Sequence, residues 1–206
     1  MILSTAYLGN IQYYTKLLSG EAVIDLHEHY CKQSYRNRCD ILTANGVCSL
    51  VVPVLRPSGT RPPTRDIRID GTKKWQHQHF QAIASAYRGS PYFAYYEDEL
   101  APFYARRYEF LADLNGELQR KVLELLGVAP RVALAECYEA AASGQDFRDS
   151  LSPKERLRRP DPDFRPVPYY QVFSERFPFA ANLSVIDLLC CEGPGAADIL
   201  RRCAGK

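Results

Sequence analysis

Several familiar signatures are missing from this chain, and each absence removes a class of function. Neither G-x-G-x-x-G nor G-x-x-x-x-G-K-[ST] occurs, which argues against an ordinary dinucleotide turn and against a P-loop. Ser184 sits in no G-x-S-x-G elbow, so serine-hydrolase chemistry has no support. No C-x-x-C pair and no H-E-x-x-H is present, so a zinc site lacks sequence support. Charge of one sign is lacking too: 26 Lys and Arg against 24 Asp and Glu leave +2, too little to point to nucleic acid or a membrane surface. The longest apolar run, SLVVPVL at 49–55, has seven residues, whereas a bilayer span needs about 20. The first lysine is Lys16, so no basic leader region opens the sequence. Seven cysteines, an odd count with Cys190 and Cys191 adjacent, suit reduced thiols better than a disulfide framework. These readings place the protein, as an expectation, in the cytoplasm.

What is present is an ordinary globular composition. An apolar fraction of 46% and a charged fraction of 24% sit at the averages of roughly 45–50% and about 25%. The 206 residues fit one domain at about 100–200 residues each, taken here as 1–206. Fourteen Tyr and nine Phe favour a ring-lined cleft over a charge-driven surface.

The order of elements predicts an α/β fold. Residues 2–7 read as a buried strand, and 11–20 repeat apolar residues at helical spacing up to Gly20. EAVIDLHEHY (21–30) alternates like a second strand, so the opening predicts a parallel βαβ unit. CDILTA and VCSLVVPV flank Asn45-Gly46, a strong hairpin signal. A Pro- and Arg-rich loop at 55–65 precedes DIRID (66–70), read as a short strand. Helices follow from Trp75 to about Tyr87, from about Tyr95 to Phe110 and from about Ala112 to Leu126, and RVALAECY (131–138) reads as a strand. Residues 143–168 form a long Pro- and Arg-rich loop, a length that is usually functional or disordered. YYQVF then looks strand-like, and Asn182 or Ser184 caps a helix bearing Val185, Leu188 and Leu189. The expectation is a Rossmann-like three-layer arrangement: a mixed, mainly parallel sheet, an inserted β-hairpin and a helical second half.

Chemistry concentrates in EHYCKQSYRNR (28–38). On a continued strand Glu28, Tyr30 and Lys32 share a face, and polar groups at the carboxyl end of a strand are where open α/β folds bind ligands. Arg36 and Arg38 have the fork that fits a phosphate or carboxylate, and Asn37 can fix a carbonyl; a solvated edge with salt bridges is the plain alternative. Asp25, His27 and His29 also share a strand face, a weak metal set without a fourth ligand. His79 lies on the apolar stripe of the Trp75 helix. It is either a satisfied core histidine or a general acid–base group, because an imidazole titrates near working pH. No cofactor is named by any of these residues.

Several ordered blocks resemble the WbqC-like family: AYLGNIQYYTKLL, E-x-Y-x-K-Q-S-Y-R-N-R-C-x-I, LVVPV before D-I-x-I-D, and W-x-x-x-H-x-x-x-I-x-x-A-Y with P-Y-F. The closing Y-Y-Q-V-F and N-L-S-V-I-D-L-L with E-G-P belong to the same resemblance, which runs from about residue 5 to 200. Many members open with Gln-Pro and further prolines, where this chain has LSTAYLG. The resemblance adds Gln171, Asn182 and Asp187 to the candidate binding residues. It implies a bacterial protein associated with gene clusters for O-antigen and other surface polysaccharides. The expected activity is that of an acyl or aminoacyl transferase on a nucleotide-linked amino sugar. His79 or Glu28 would take the proton, while Tyr30, Lys32, Arg36, Asn37, Arg38, Gln171, Asn182 and Asp187 would hold the small-molecule substrate. The alternative is a non-catalytic binding protein in which His79 is structural. By outline alone, Tyr7-Leu8-Gly9-Asn10 is similar to the H-x-G-H loop of nucleotidylyl-transfer folds, with both histidines missing.

Overall fold

The protein, seen as a computed structural model, is described over residues 1–55, 61–140 and 146–205. Its elements are β1 (Ile2–Leu3), α1 (Ile11–Leu18), β2 (Ala22–Ile24), β3 (Arg38–Thr43), β4 (Gly46–Val51), α2 (Trp75–Tyr87), α3 (Phe93–Ala105), α4 (Leu111–Leu125), β5 (Val132–Leu134), α5 (Val185–Glu192) and α6 (Ala196–Cys203). β1, β2 and β5 form a three-stranded parallel sheet in that order, with Leu3 opposite Ile24 and Ile24 opposite Leu134. β3 and β4 make a separate antiparallel hairpin. The fold is α/β, as the element order predicts, with the hairpin inserted between the second and third parallel strands.

The strands are shorter than their apolar alternation suggests, and β2 shows why. The Asp25 carboxylate accepts the backbone N–H groups of His27 at 2.8 Å and Glu28 at 3.2 Å, turning the chain out of the sheet. Asp25, His27 and His29 therefore share no strand face. Nδ1 of His27 lies 3.1 Å from Arg65 Nη1, and His29 is exposed. Among the described residues, no group of three or more His, Cys, Asp or Glu is placed to hold a metal ion. DIRID likewise gives a 3-10 turn at Thr64–Asp66 and isolated bridges from Arg68 to Phe110 and Ile69 to Val54. YYQVF runs into turns, not a strand.

In the hairpin, Thr43 pairs with Gly46, so Ala44 and Asn45 are the turn residues. Gly46 opens β4 at φ 97, a conformation that costs glycine little. The helical stripes match their spacing: α2 buries Trp75, His79, Ile83, Ala86 and Tyr87, and α4 buries Leu114, Leu118 and Val122. Ser184 caps α5. Its hydroxyl accepts from the N–H of Ile186 at 3.4 Å and donates to the Leu8 carbonyl at 2.7 Å, joining α5 to the turn after β1. Ser184→Ala is expected to destabilise the protein by about 1 kcal/mol in urea unfolding; an unchanged midpoint would mean that the cap is idle.

Residues 56–60 of the Pro-rich loop and 143–145 of the long loop lie outside the described residues. The rest of the long loop is strapped to the body. Nη1 of Arg148 reaches Oδ2 of the fully buried Asp25 at 2.5 Å, and Asp161 takes Lys16 Nζ and Gln12 Nε2, both at 2.7 Å. No helix among the described residues is long and apolar enough to cross a membrane.

Candidate functional site

The 28–38 segment folds inward, and most of its polar groups bind one another. Arg36, only 2% exposed, donates from Nε to Oε1 of Glu28 at 2.8 Å and from Nη2 to Oε2 at 2.5 Å. Nη2 also reaches the Arg148 carbonyl at 3.2 Å and Asp149 at 3.3 Å. Burial pushes the Glu28 carboxyl above its ordinary value, against the pull of Arg36. The amide of Asn37 donates to the Val52 carbonyl at 2.8 Å. Its Oδ1 is buried without a partner among the described residues, as are Oδ1 of Asn115 and Oγ1 of Thr64. Asn115 of α4 donates to the Arg36 carbonyl at 2.8 Å, so this segment is keyed to the helix behind it. Tyr30 is buried, which pushes its hydroxyl up to about 12 although the charge of Arg36 pulls it down. Lys32 is exposed. Arg38 pairs with Asp40 at 3.0 Å along β3. The structure thus brings Glu28 and Arg36 together as a buried ion pair, while Lys32 is exposed and Arg38 pairs along β3.

His79 is held at both nitrogens. Nδ1 lies 2.9 Å from the Tyr7 hydroxyl, and the ring also bonds the Val51 carbonyl. A carbonyl only accepts, so Nε2 carries the proton, and Tyr7 donates to Nδ1. The Tyr7 hydroxyl then accepts from Tyr104, 3.0 Å away. Trp75 stands edge-on to the imidazole at 5.2 Å between ring centroids. Burial lowers the His79 pKa to about 4, with the Val51 carbonyl opposing. The polar contacts of the His79 ring are thus internal, to the Tyr7 hydroxyl and the Val51 carbonyl.

Asp187 is fully buried and accepts from Tyr87 at 2.9 Å, Tyr169 at 2.6 Å and Gln171 at 2.9 Å. Burial raises its carboxyl above the ordinary value despite these three donors. Gln171 closes a two-way bond with the Ala180 backbone, at 3.0 and 2.9 Å. This cluster ties the C-terminal segment to α5. Asn182, at φ 60, turns back onto α1: Oδ1 accepts the N–H of Gln12 at 2.9 Å, and Nδ2 donates to Oε1 of Gln12 at 3.2 Å. At Gly9, just before α1, a Cβ would meet the Tyr13 ring at 2.6 Å. The turn at Tyr7-Leu8-Gly9-Asn10 offers no free helix-end amides. Ile11, Gln12 and Tyr13 already donate to Leu183, Asn182 and Asn10.

A cavity of about 670 Å³ lies elsewhere, between the parallel sheet and α4. Thr5, Leu26 and Leu134, at or just beyond the carboxyl ends of β1, β2 and β5, form one wall. Ala112, Gly116 and Arg120, one helical turn apart on α4, form another, and residues 106–109 close a side. Arg106 donates to Glu117 at 2.5 Å and Tyr108 to the same carboxylate at 2.8 Å. Burial opposes them, yet they hold Glu117 below the usual carboxylate range. Arg107 and Arg120 line the cavity with no ion-pair partner among the described residues. None of Glu28, Tyr30, Lys32, Arg36, Asn37, Arg38, His79, Gln171, Asn182 or Asp187 lines it. The sequence signal that marks it is the small-residue face Ala112–Gly116 running into Arg120, on the side of α4 away from its Leu stripe.

The uncharacterized protein Rv1507c of Mycobacterium tuberculosis is 34% identical over 113 residues, 54% of this chain and 48% of that one. The chain thus spans about half the length of this relative. No solved structure matches. The WbqC-like protein family matches residues 5–155, from just after β1 into the strapped loop, and stops short of Gln171, Asn182 and Asp187. The stretch includes the turn after β1, the 28–38 segment, His79 and the whole α4 wall of the cavity, and by that match the chain belongs to the WbqC-like protein family.

Proposed function

We propose that this protein binds a nucleotide-linked amino sugar in the cavity between the sheet and α4, in the cytoplasm, as part of bacterial surface-polysaccharide production. One observation carries the reading: a cavity of about 670 Å³ over the carboxyl ends of parallel strands, with Arg107 and Arg120 on its walls and without an ion-pair partner among the described residues. Small-molecule sites run to about 300–1,000 Å³, largely apolar with a few placed polar groups. Guanidinium forks suit a diphosphate, and the apolar wall of Ile24, Leu26 and Leu134 suits a ring. The polysaccharide context comes from the family resemblance alone.

Binding without turnover is the favoured form, because His79 and Glu28 are both committed to internal partners. An acyl or aminoacyl transferase remains the second reading. In it, Asp113 of the cavity wall would take the acceptor's proton.

Calorimetric titration with a UDP-linked amino sugar tests the site. A charge-assisted hydrogen bond contributes about 1.5–3 kcal/mol, so Arg120→Gln is expected to weaken binding by about 10–100-fold. Absence of binding, or equal affinity in the folded variant, would overturn the proposal.

A further inference from the structure

A second crevice stands apart from the large cavity, at the other edge of the sheet. Asp146 forms a parallel bridge to Ile2, and Phe147 donates to the Ile2 carbonyl at 2.9 Å. The order across the sheet is therefore Asp146, β1, β2, β5. From β1 the chain steps one way to β2 and β5, then returns to the opposite side of β1 at Asp146. The direction of winding reverses between β1 and Asp146, and open α/β sheets bind ligands just beyond the carboxyl ends of strands at such a reversal. A pocket of about 350 Å³ lies at that place. Asn10 and Gln12, which follow β1, form one side; Ser150 and Ser152, which follow Asp146, form the other.

The charge of its lining points to an anion. Arg158 and Arg159 both face the pocket, and neither has an ion-pair partner among the described residues. Arg158 is oriented by the Ser152 carbonyl at 3.0 Å and the Pro153 carbonyl at 3.3 Å, leaving Nη1 uncommitted. Arg159 makes no hydrogen bond within the described chain and only helps, at a distance, to hold the Asp146 carboxyl low. The one carboxylate of the lining, Asp161, is already taken by Lys16 and Gln12. Ser150 adds a shielded hydroxyl with no partner among the described residues. The amides at the start of α1 are occupied, so the guanidinium groups, not the helix end, supply the attraction.

We propose that this crevice binds a small phosphate ester, its phosphate on Arg158 and Arg159 and its body against Phe164. Two adjacent guanidinium forks match phosphate oxygens, and about 350 Å³ accommodates one sugar-sized group. The site is independent of the large cavity, and the two are tested by separate variants.

Glucose 1-phosphate serves as the probe, titrated calorimetrically into the full chain, with inorganic phosphate as competitor. Binding should be displaced by inorganic phosphate, weakened about 10–100-fold by Arg159→Gln, and weakened less by Arg159→Lys, which keeps the charge but not the fork. Arg120→Gln, in the large cavity, should leave it unchanged. Because Arg159 is exposed and holds no internal bond, its variants are expected to unfold like the parent, which urea unfolding checks. The proposal is overturned if glucose 1-phosphate does not bind, if the folded Arg159→Gln binds it equally, or if Arg120→Gln alone abolishes binding.

Discussion

Arg36→Met is expected to cost about 3–5 kcal/mol of folding stability, because it leaves Glu28 as a buried charge with no counter-charge. Arg36 and Glu28 are both nearly inaccessible, and the fork between them satisfies two donors and two acceptors at once. The same guanidinium closes onto the Arg148 carbonyl, so its loss also loosens the strapped segment. Removing both charges together, as in Glu28→Leu with Arg36→Met, should recover much of the loss, since apolar replacements of buried pairs are often near neutral. Urea unfolding of the two single variants and the double gives the coupling directly. If Arg36→Met instead keeps wild-type stability and loses affinity for a nucleotide sugar, Arg36 is a ligand-binding arginine and its place as a core ion pair is wrong.

That ambiguity is what the sequence could not resolve. A string such as EHYCKQSYRNR has the residue types of a site whether its charges face a ligand or one another. Deciding between them requires knowing that the chain turns at Asp25 and brings Glu28 back onto Arg36. Helices were legible because their buried faces recur every three to four residues over several turns, as in Trp75, His79, Ile83 and Ala86 of α2. Strands of two or three residues carry too little alternation to fix their ends, so β1 and β2 are shorter than their apolar runs. The capping role of Ser184 was readable from local chemistry, but its bond to Leu8 was not. The large cavity left a fainter trace. It depends on what is absent from a helix face, the side chain at Gly116, and on two arginines whose lack of partners appears only in three dimensions.

His79 gives the second large effect, and it appears as acid lability. Its pKa is about 4 in the folded protein, against about 6.5 for an unperturbed imidazole. Between those values the unfolded chain binds the proton and the folded chain does not, so stability falls as pH falls. The contribution is complete above pH 6.5 and lost towards pH 4, amounting to about 3 kcal/mol. Glu28 and Asp187 act in the opposite sense: their raised carboxyls stabilise the fold at low pH and lose that contribution as pH rises. The wild-type profile alone therefore mixes signs. His79→Gln isolates the imidazole, because its amide can accept from Tyr7 and donate to Val51 but does not titrate. Measured side by side from pH 7.5 to 4, the wild type should lose about 3 kcal/mol more than His79→Gln. Tyr7, Tyr104 and Trp75 face the ring and stay neutral across that range, so they add nothing to the difference. Parallel profiles would mean that the imidazole titrates near its ordinary value in contact with solvent, and would return His79 to the catalytic candidates.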